Sequence, residues 1–217
     1  MKKEDTNKLL NILRKTYPEA SCSLDFSNPF EIAVSVMLSA QCTDERVNKT
    51  TPALFKRCKT IEDYANINIK ELEDLIHPCG FYHNKAKNIK LCARQVLENY
   101  NGKVPKNMEK LTSLAGIGRK SANVIMLEAF GIAEGIAVDT HCKRISNRIG
   151  LSKQSDPLKI EKDLIKQFDK NDLKDVNHLF VWHGRYTCDS RNPKCDICTI
   201  NIFCKYHREK EKEKLKQ

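Results

Sequence analysis

The sequence lacks any long apolar run. No stretch approaches the ~20 consecutive apolar residues that a bilayer-spanning helix requires, and the opening residues Met1-Lys2-Lys3-Glu4-Asp5-Thr6 form no apolar leader core. An intracellular protein is therefore expected. Convincing period-two alternation is missing too, which argues against β-sheet, and no internal repeat has the length of a solenoid unit. Bias is confined to the Lys/Glu-rich end, which reads as a frayed charged helix. Disorder does not dominate 217 residues that are 40% hydrophobic and 30% charged, a length that buries one good core or two modest ones.

What the chain does have is positive charge. The run from His207 to Gln217 carries five basic and three acidic residues, so +8 of the formal +10 remains on the body of the protein. A surplus held there favours a polyanionic partner such as nucleic acid. Ten cysteines without a secretion signal do not suggest a disulfide framework. Six of them, Cys22, Cys42, Cys58, Cys79, Cys92 and Cys142, are scattered singly and read as packing residues.

The remaining pattern is helical, and the fold class is all-α. Leu9, Leu10, Leu13 and Tyr17 share one face of a segment from Thr6 to Tyr17, with Asp5 or Thr6 as the N-cap. Asn28-Pro29-Phe30-Glu31 opens a helix that is apolar nearly all round from Ile32 to Leu38, the mark of a buried central helix. It ends at Leu38-Ser39-Ala40-Gln41, where Thr43 caps the next element. Shorter pieces follow at Pro52–Cys58, Ile61–Ala65 and Ile69–Ile76, closed by Gly80; a longer helix runs to about Tyr100. The adjacent aromatics Phe81 and Tyr82 read from pattern alone as core. Helices are also expected at Met108–Leu114, at Arg119–Phe130, from Asp139 as N-cap through Arg148, from Asp156-Pro157, and from Asn171-Asp172 toward Cys188.

Within this series, Leu111-Thr112-Ser113-Leu114-Ala115-Gly116-Ile117-Gly118-Arg119-Lys120-Ser121-Ala122 is electrostatically out of place. A helix N-terminus carries partial positive charge and favours Asp or Glu, yet this one opens with Arg119 and Lys120. The order makes sense if an anion sits opposite, because amides exposed at Gly116 and Gly118 would hold a phosphate without reading sequence. A solvated tight turn is the plainer alternative.

Four cysteines lie within seventeen residues as Cys188-x6-Cys195-x2-Cys198-x5-Cys204. So many thiols at such spacing point to a metal centre. One tight pair flanked by longer arms suits a [4Fe–4S] cluster better than zinc, whose structural sites usually present two tight pairs. With four protein ligands such a centre has no open position, and its role would be to shape the loop bearing Arg191, Lys194 and Lys205, cations able to meet phosphates.

Taken in order, Leu38-Ser39-Ala40-Gln41, the Leu111–Ala122 stretch, Val138-Asp139-Thr140-His141 and the four-cysteine close resemble the endonuclease III family of helix-hairpin-helix DNA glycosylases with lyase activity. The likeness runs from about residue 25 to Cys204. It implies a six-helix domain at 22–133 carrying the hairpin at about 108–127, and a discontinuous iron–sulfur cluster domain made of 1–21 and 134–217. It also implies a monomer that takes duplex DNA containing damaged bases or abasic sites, with no membrane partner. Lys120 would be the nucleophile in base excision repair of oxidised pyrimidines, and Asp139 the carboxylate that accepts protons and stabilises positive charge on the sugar. A lysine acting so attacks as the neutral amine. Gln41 would enter the space left by a flipped nucleotide and Phe81 would be an apolar wedge where relatives often have Leu. Gly116, Gly118, Arg119, His141 and Lys194 complete the implied DNA contacts, and Cys188, Cys195, Cys198 and Cys204 the cluster ligands. Cys142 departs from the aliphatic residue usual after this histidine. A monofunctional mismatch glycosylase of the same superfamily and a zinc-stabilised, non-catalytic DNA-binding module are the competing readings.

Overall fold

The computed structural model describes residues 1–215. Among these, all regular structure is helical, so the all-α expectation holds. The helices are α1 (Lys3–Thr16), α2 (Pro29–Ser39), α3 (Asp44–Arg57), α4 (Ile61–Asn66), α5 (Ile69–Ile76), α6 (Tyr82–Tyr100), α7 (Met108–Thr112), α8 (Arg119–Phe130), α9 (Thr140–Ile149), α10 (Pro157–Gln167), α11 (Leu173–Tyr186) and α12 (Lys205–Lys214). Among the described residues no helix is long and apolar enough to cross a membrane.

The chain divides into two compact units, Ser23–Ile132 and a discontinuous one formed by Met1–Cys22 with the chain from Ala133 onward. The continuous unit holds seven helices, counting the five-residue α7, rather than six. Its centre is α2. The Asn28 side chain caps this helix by accepting from the amides of Phe30 and Glu31, Pro29 occupies the first turn, and every residue from Phe30 to Leu38 is buried. Such all-round burial follows from the absence of a polar face, and it lets α2 pack against α3, α6 and α8 at once.

Two local expectations need correction. The helix expected from Pro52 is one continuous α3 from Asp44, capped by Thr43. Pro52 sits inside it and is exposed, so the Asn48 carbonyl, deprived of an N–H partner, faces the wet side while Val47, Thr50, Thr51 and Leu54 bury the other. Likewise, α1 begins at Lys3, not after Thr6. The acidic Glu4 and Asp5 favour an earlier first turn, and Thr6 is fully buried, its Oγ1 donating to the carbonyls of Lys3 (2.8 Å) and Gln167 (3.0 Å).

In the discontinuous unit α1 is held by both apolar and charged contacts. Leu9, Leu10 and Leu13, all fully buried, share a core with Ile145, Val176 and Phe180 from α9 and α11. Arg14 forks onto Asp172 (2.6 Å) and Asp175 (2.5 Å) at the start of α11. Burying three leucines contributes roughly 1.5–3 kcal/mol each, so the N-terminal helix is an integral part of this unit. The charged α12 buries no residue.

Candidate functional site

The hairpin is built from α7, the turn at 113–118 and α8. Leu111, Leu114 and Ile117 are buried and anchor the turn, while the Ala115 amide donates to Gln95 Oε1 of α6 at 2.8 Å. α7 stops at Thr112, short of Leu114, because the turn tightens: Leu114 N bonds Leu111 O and Ile117 N bonds Leu114 O.

The two glycines of the motif serve different needs. Gly116 has φ +76°, and a Cβ there would stand 2.8 Å from Met37 Sδ and 3.0 Å from Asn88 Cβ, so both backbone conformation and close packing on α2 and α6 exclude a side chain. Gly118 has an extended backbone (φ −90°, ψ 176°) and open space around it. It is the N-cap of α8 and supplies no side-chain cap, so the first amides of that helix are not closed off by one. The first turn of α8 contains no acid, and Arg119 and Lys120 are exposed there. A helix start that is amide-bearing, uncapped by a side chain and led by cations has the chemistry suited to an anion.

Gln41 and Phe81 follow α2 and precede α6 in the same unit. Both are exposed, Phe81 at 65%, and both hold the left-handed backbone, with φ 53° and 48°. Phe81 is thus no core residue, in contrast to the reading from pattern alone; Tyr82 instead packs between His77 and His83. A left-handed non-glycine residue costs roughly 1–2 kcal/mol, and an exposed aromatic gains nothing from burial. Strain of this kind concentrates at functional positions.

In the discontinuous unit, Asp139 is half-buried and caps α9: the Cys142 amide donates to its Oδ1 at 2.7 Å. One turn on, His141 Nδ1 lies 3.1 Å from Arg144 Nη2, which donates to the Gly184 carbonyl (2.9 Å), while Arg144 Nε donates to Cys188 O (3.2 Å). Burial pushes the His141 imidazole below its ordinary pKa. Gly184 stands in the last turn of α11, where a Cβ would meet His141 Nδ1 at 2.8 Å and Arg144 Nη2 at 2.9 Å. Sequence reasoning missed Arg144, Arg148 and Gly184. The spacing His141, Arg144, Arg148 along one helix face, and a glycine inside α11 where it costs about 1 kcal/mol against alanine, were the available signals.

Cys188, Cys195, Cys198 and Cys204 line one cavity, together with Arg148, His183 and Tyr206. Arg148 Nη1 donates to Cys188 Sγ (3.2 Å) and to the Asp189 carbonyl (2.6 Å), and its guanidinium stacks on Tyr206 at 4.9 Å. The Cys204 thiol donates to the Arg148 carbonyl at 3.3 Å, and Cys198 Sγ is 3.7 Å from His183 Nε2. Burial pushes the Cys198 thiol up to about 11 and Cys204 in the same direction. Among the described residues no three His, Cys, Asp or Glu side chains are gathered closely enough to hold a single metal ion. Lys194 is exposed at the edge of this loop, its amide bonded to Thr187 O.

Lys120, Gln41, Phe81, Gly116, Gly118 and Arg119 therefore belong to one unit, and Asp139, His141, Lys194 and the four cysteines to the other. Residues 34–170 match the model of the HhH-GPD superfamily of base excision DNA repair proteins. Endonuclease III of Synechocystis sp. is 47% identical over 203 residues, 94% of this chain and 93% of that protein. Among solved structures, a non-covalent endonuclease III–DNA complex aligns at TM-score 0.90 with 38% identity, covering 98% of this chain and 99% of that one. A trapped covalent endonuclease III–DNA intermediate aligns equally well, at TM-score 0.90 and 39% identity over 97% and 99%. The chain belongs to the HhH-GPD superfamily and, within it, to the endonuclease III family.

Proposed function

We propose that this chain is a bifunctional DNA N-glycosylase and abasic-site lyase of base excision repair, acting inside the cell on oxidised pyrimidines in duplex DNA. The observation that carries the reading is Lys120, a primary amine exposed at the start of α8 directly after the Gly116–Gly118 turn. The amides of this turn and Arg119 hold a backbone phosphate, which presents the damaged nucleotide to the amine. Gln41 and Phe81 occupy the gap that the flipped nucleotide leaves in the stack.

Once deprotonated, Lys120 Nζ attacks C1′. The C1′–N bond breaks and the base departs with the bonding pair, taking a proton; opening of the sugar ring then gives a protonated Schiff base between Nζ and C1′. Asp139 stabilises the positive charge that develops on the sugar and relays protons. The Schiff base acidifies C2′–H, removal of that proton expels the 3′ phosphate by breaking C3′–O, and water finally releases the lysine. His141 and Lys194 add contacts to the DNA backbone.

Cys188, Cys195, Cys198 and Cys204 are the residues that would hold a [4Fe–4S] cluster, supported by four soft donors lining one cavity and by the Arg148 donor on Cys188 Sγ. When bound, the cluster supplies cross-linking of the loop through filled iron–thiolate bonds. The loop so ordered carries Arg191 and Lys194 as phosphate-binding cations.

Borohydride reduction during reaction with a duplex bearing one abasic site is expected to leave a covalent protein–DNA adduct, and Lys120→Gln to abolish it. Absence of the adduct from a preparation that still excises bases overturns the lyase mechanism. A panel of duplexes, each with one defined lesion, tests the pyrimidine assignment; excision confined to mismatched normal bases defeats it.

A further inference from the structure

The loops that carry Gln41 and Phe81 begin at two helix ends, and both ends meet one buried cation. Leu38 lies in the last turn of α2, and Cys79 closes the 3-10 turn His77–Cys79. Carbonyls at such ends have no N–H partner within their own helix. Lys85 of α6, a residue only 6% exposed, donates from its ammonium to both: to Leu38 O at 2.8 Å and to Cys79 O at 2.9 Å. Among the described residues no carboxylate pairs with it; its acceptors are two backbone carbonyls, one at the start of each loop.

The sequence distance from these anchors to the wedges is short. Gln41 follows Leu38 by three residues and Phe81 follows Cys79 by two, and the segments between turn sharply, with Gln41, Gly80 and Phe81 all at positive φ (53°, 66° and 48°). Few free torsions therefore separate the clamped carbonyls from the exposed side chains. The residue is buried, so a lysine here is not explained as a surface charge. A buried lysine with only carbonyl acceptors is costly to keep, and what it accomplishes is a fixed spacing between two loops that, among the described residues, share no backbone–backbone hydrogen bond.

We propose that Lys85 is a positioning residue that clamps the Gln41 and Phe81 loops at one separation, so that both side chains enter the DNA gap as a single preformed wedge. The proposal rests on the reading that these two residues fill that gap. Its chemistry is that of preorganisation: without the clamp the loops must be ordered at the moment of nucleotide flipping, and base extrusion slows while the nucleophile is untouched.

The test compares the full-length wild type with Lys85→Met, which keeps the stem and removes the donors. The two measurements are single-turnover excision of an oxidised pyrimidine from duplex DNA and borohydride trapping at an abasic site in the same duplex, where no base has to be unstacked. Expected is an excision rate reduced at least about tenfold, with trapping within about threefold and affinity for undamaged duplex unchanged. On a Gln41→Ala/Phe81→Ala background Lys85→Met should add less than about twofold, because its effect travels through those side chains. Equal loss in both assays, no loss in either, or full additivity on the double-variant background overturns the clamp. If Lys85→Met loses its helical circular dichroism, Lys85→Arg, which keeps the cation but displaces the donors, is measured in the same pair of assays with the same expected split. A wild type that neither excises nor forms an adduct instead defeats the glycosylase/lyase reading itself, leaving the two failures distinguishable.

Discussion

The Cys142 amide donates to Asp139 Oδ1 at 2.7 Å, so the carboxylate proposed for catalysis is also the N-cap of α9. A cap and a catalytic acid need not exclude one another, since the cap occupies one oxygen and fixes the rotamer of the other. Substitution separates the roles. Asp139→Asn retains an oxygen for the Cys142 amide and should melt within about 0.5 kcal/mol of wild type, yet lose at least about 100-fold in single-turnover excision. Asp139→Ala should lose the same activity and also about 1 kcal/mol of stability. An Asn variant with full activity would leave Asp139 as a cap alone.

The hairpin glycines make a second pair of contrasting variants. Gly116→Ala forces a side chain into positive φ and against Met37 and Asn88, and should cost about 1–3 kcal/mol in thermal or denaturant unfolding. Gly118→Ala meets open space at an extended backbone and should cost less than about 1 kcal/mol. Its added methyl stands instead where the α8 amides would meet a phosphate, so the expected loss is in affinity for duplex DNA by titration. Wild-type affinity in Gly118→Ala would remove this turn from the interface.

Where the chemistry of an element is local, it was legible in the sequence. Asn28-Pro29-Phe30-Glu31 carries its own cap, and a run apolar nearly all round marks α2 as central. Illegible features depend on partners far along the chain. Nothing in Ala40-Gln41-Cys42 signals a left-handed residue, because the carbonyl clamp on that loop comes from Lys85, 47 residues away from Leu38. Arg144 reads as a solvated helix charge until the carbonyls of Gly184 and Cys188 are seen to receive it. Pro52 reads as a helix start, and only the burial of Val47 and Leu54 on one face explains why α3 runs through it.

Iron content provides a third prediction. Protein purified anaerobically should be yellow-brown with absorbance near about 400 nm from thiolate-to-iron charge transfer. Cys198→Ser should lose that band and melt at lower temperature, because the loop would lose a ligand and leave a hydroxyl beside His183. Chelation of iron should bleach the wild type and lower its melting point in parallel. A colourless protein containing one zinc per chain would favour the zinc-held module instead.

Ionic strength tests the interface as a whole. If Arg119, Lys194 and the α8 amides meet phosphates as proposed, the logarithm of the DNA association constant should fall linearly with the logarithm of salt concentration. Each phosphate contact made by a cation adds about 0.9 to the magnitude of the slope. Lys194 is exposed, so replacing it with alanine should leave the melting temperature unchanged and reduce the slope by about that amount. The same loss should appear with damaged and undamaged duplexes, since a phosphate contact carries no base information. An unchanged slope in Lys194→Ala would place the cysteine loop outside the DNA footprint, whereas a complex insensitive to salt would contradict phosphate-dominated binding altogether.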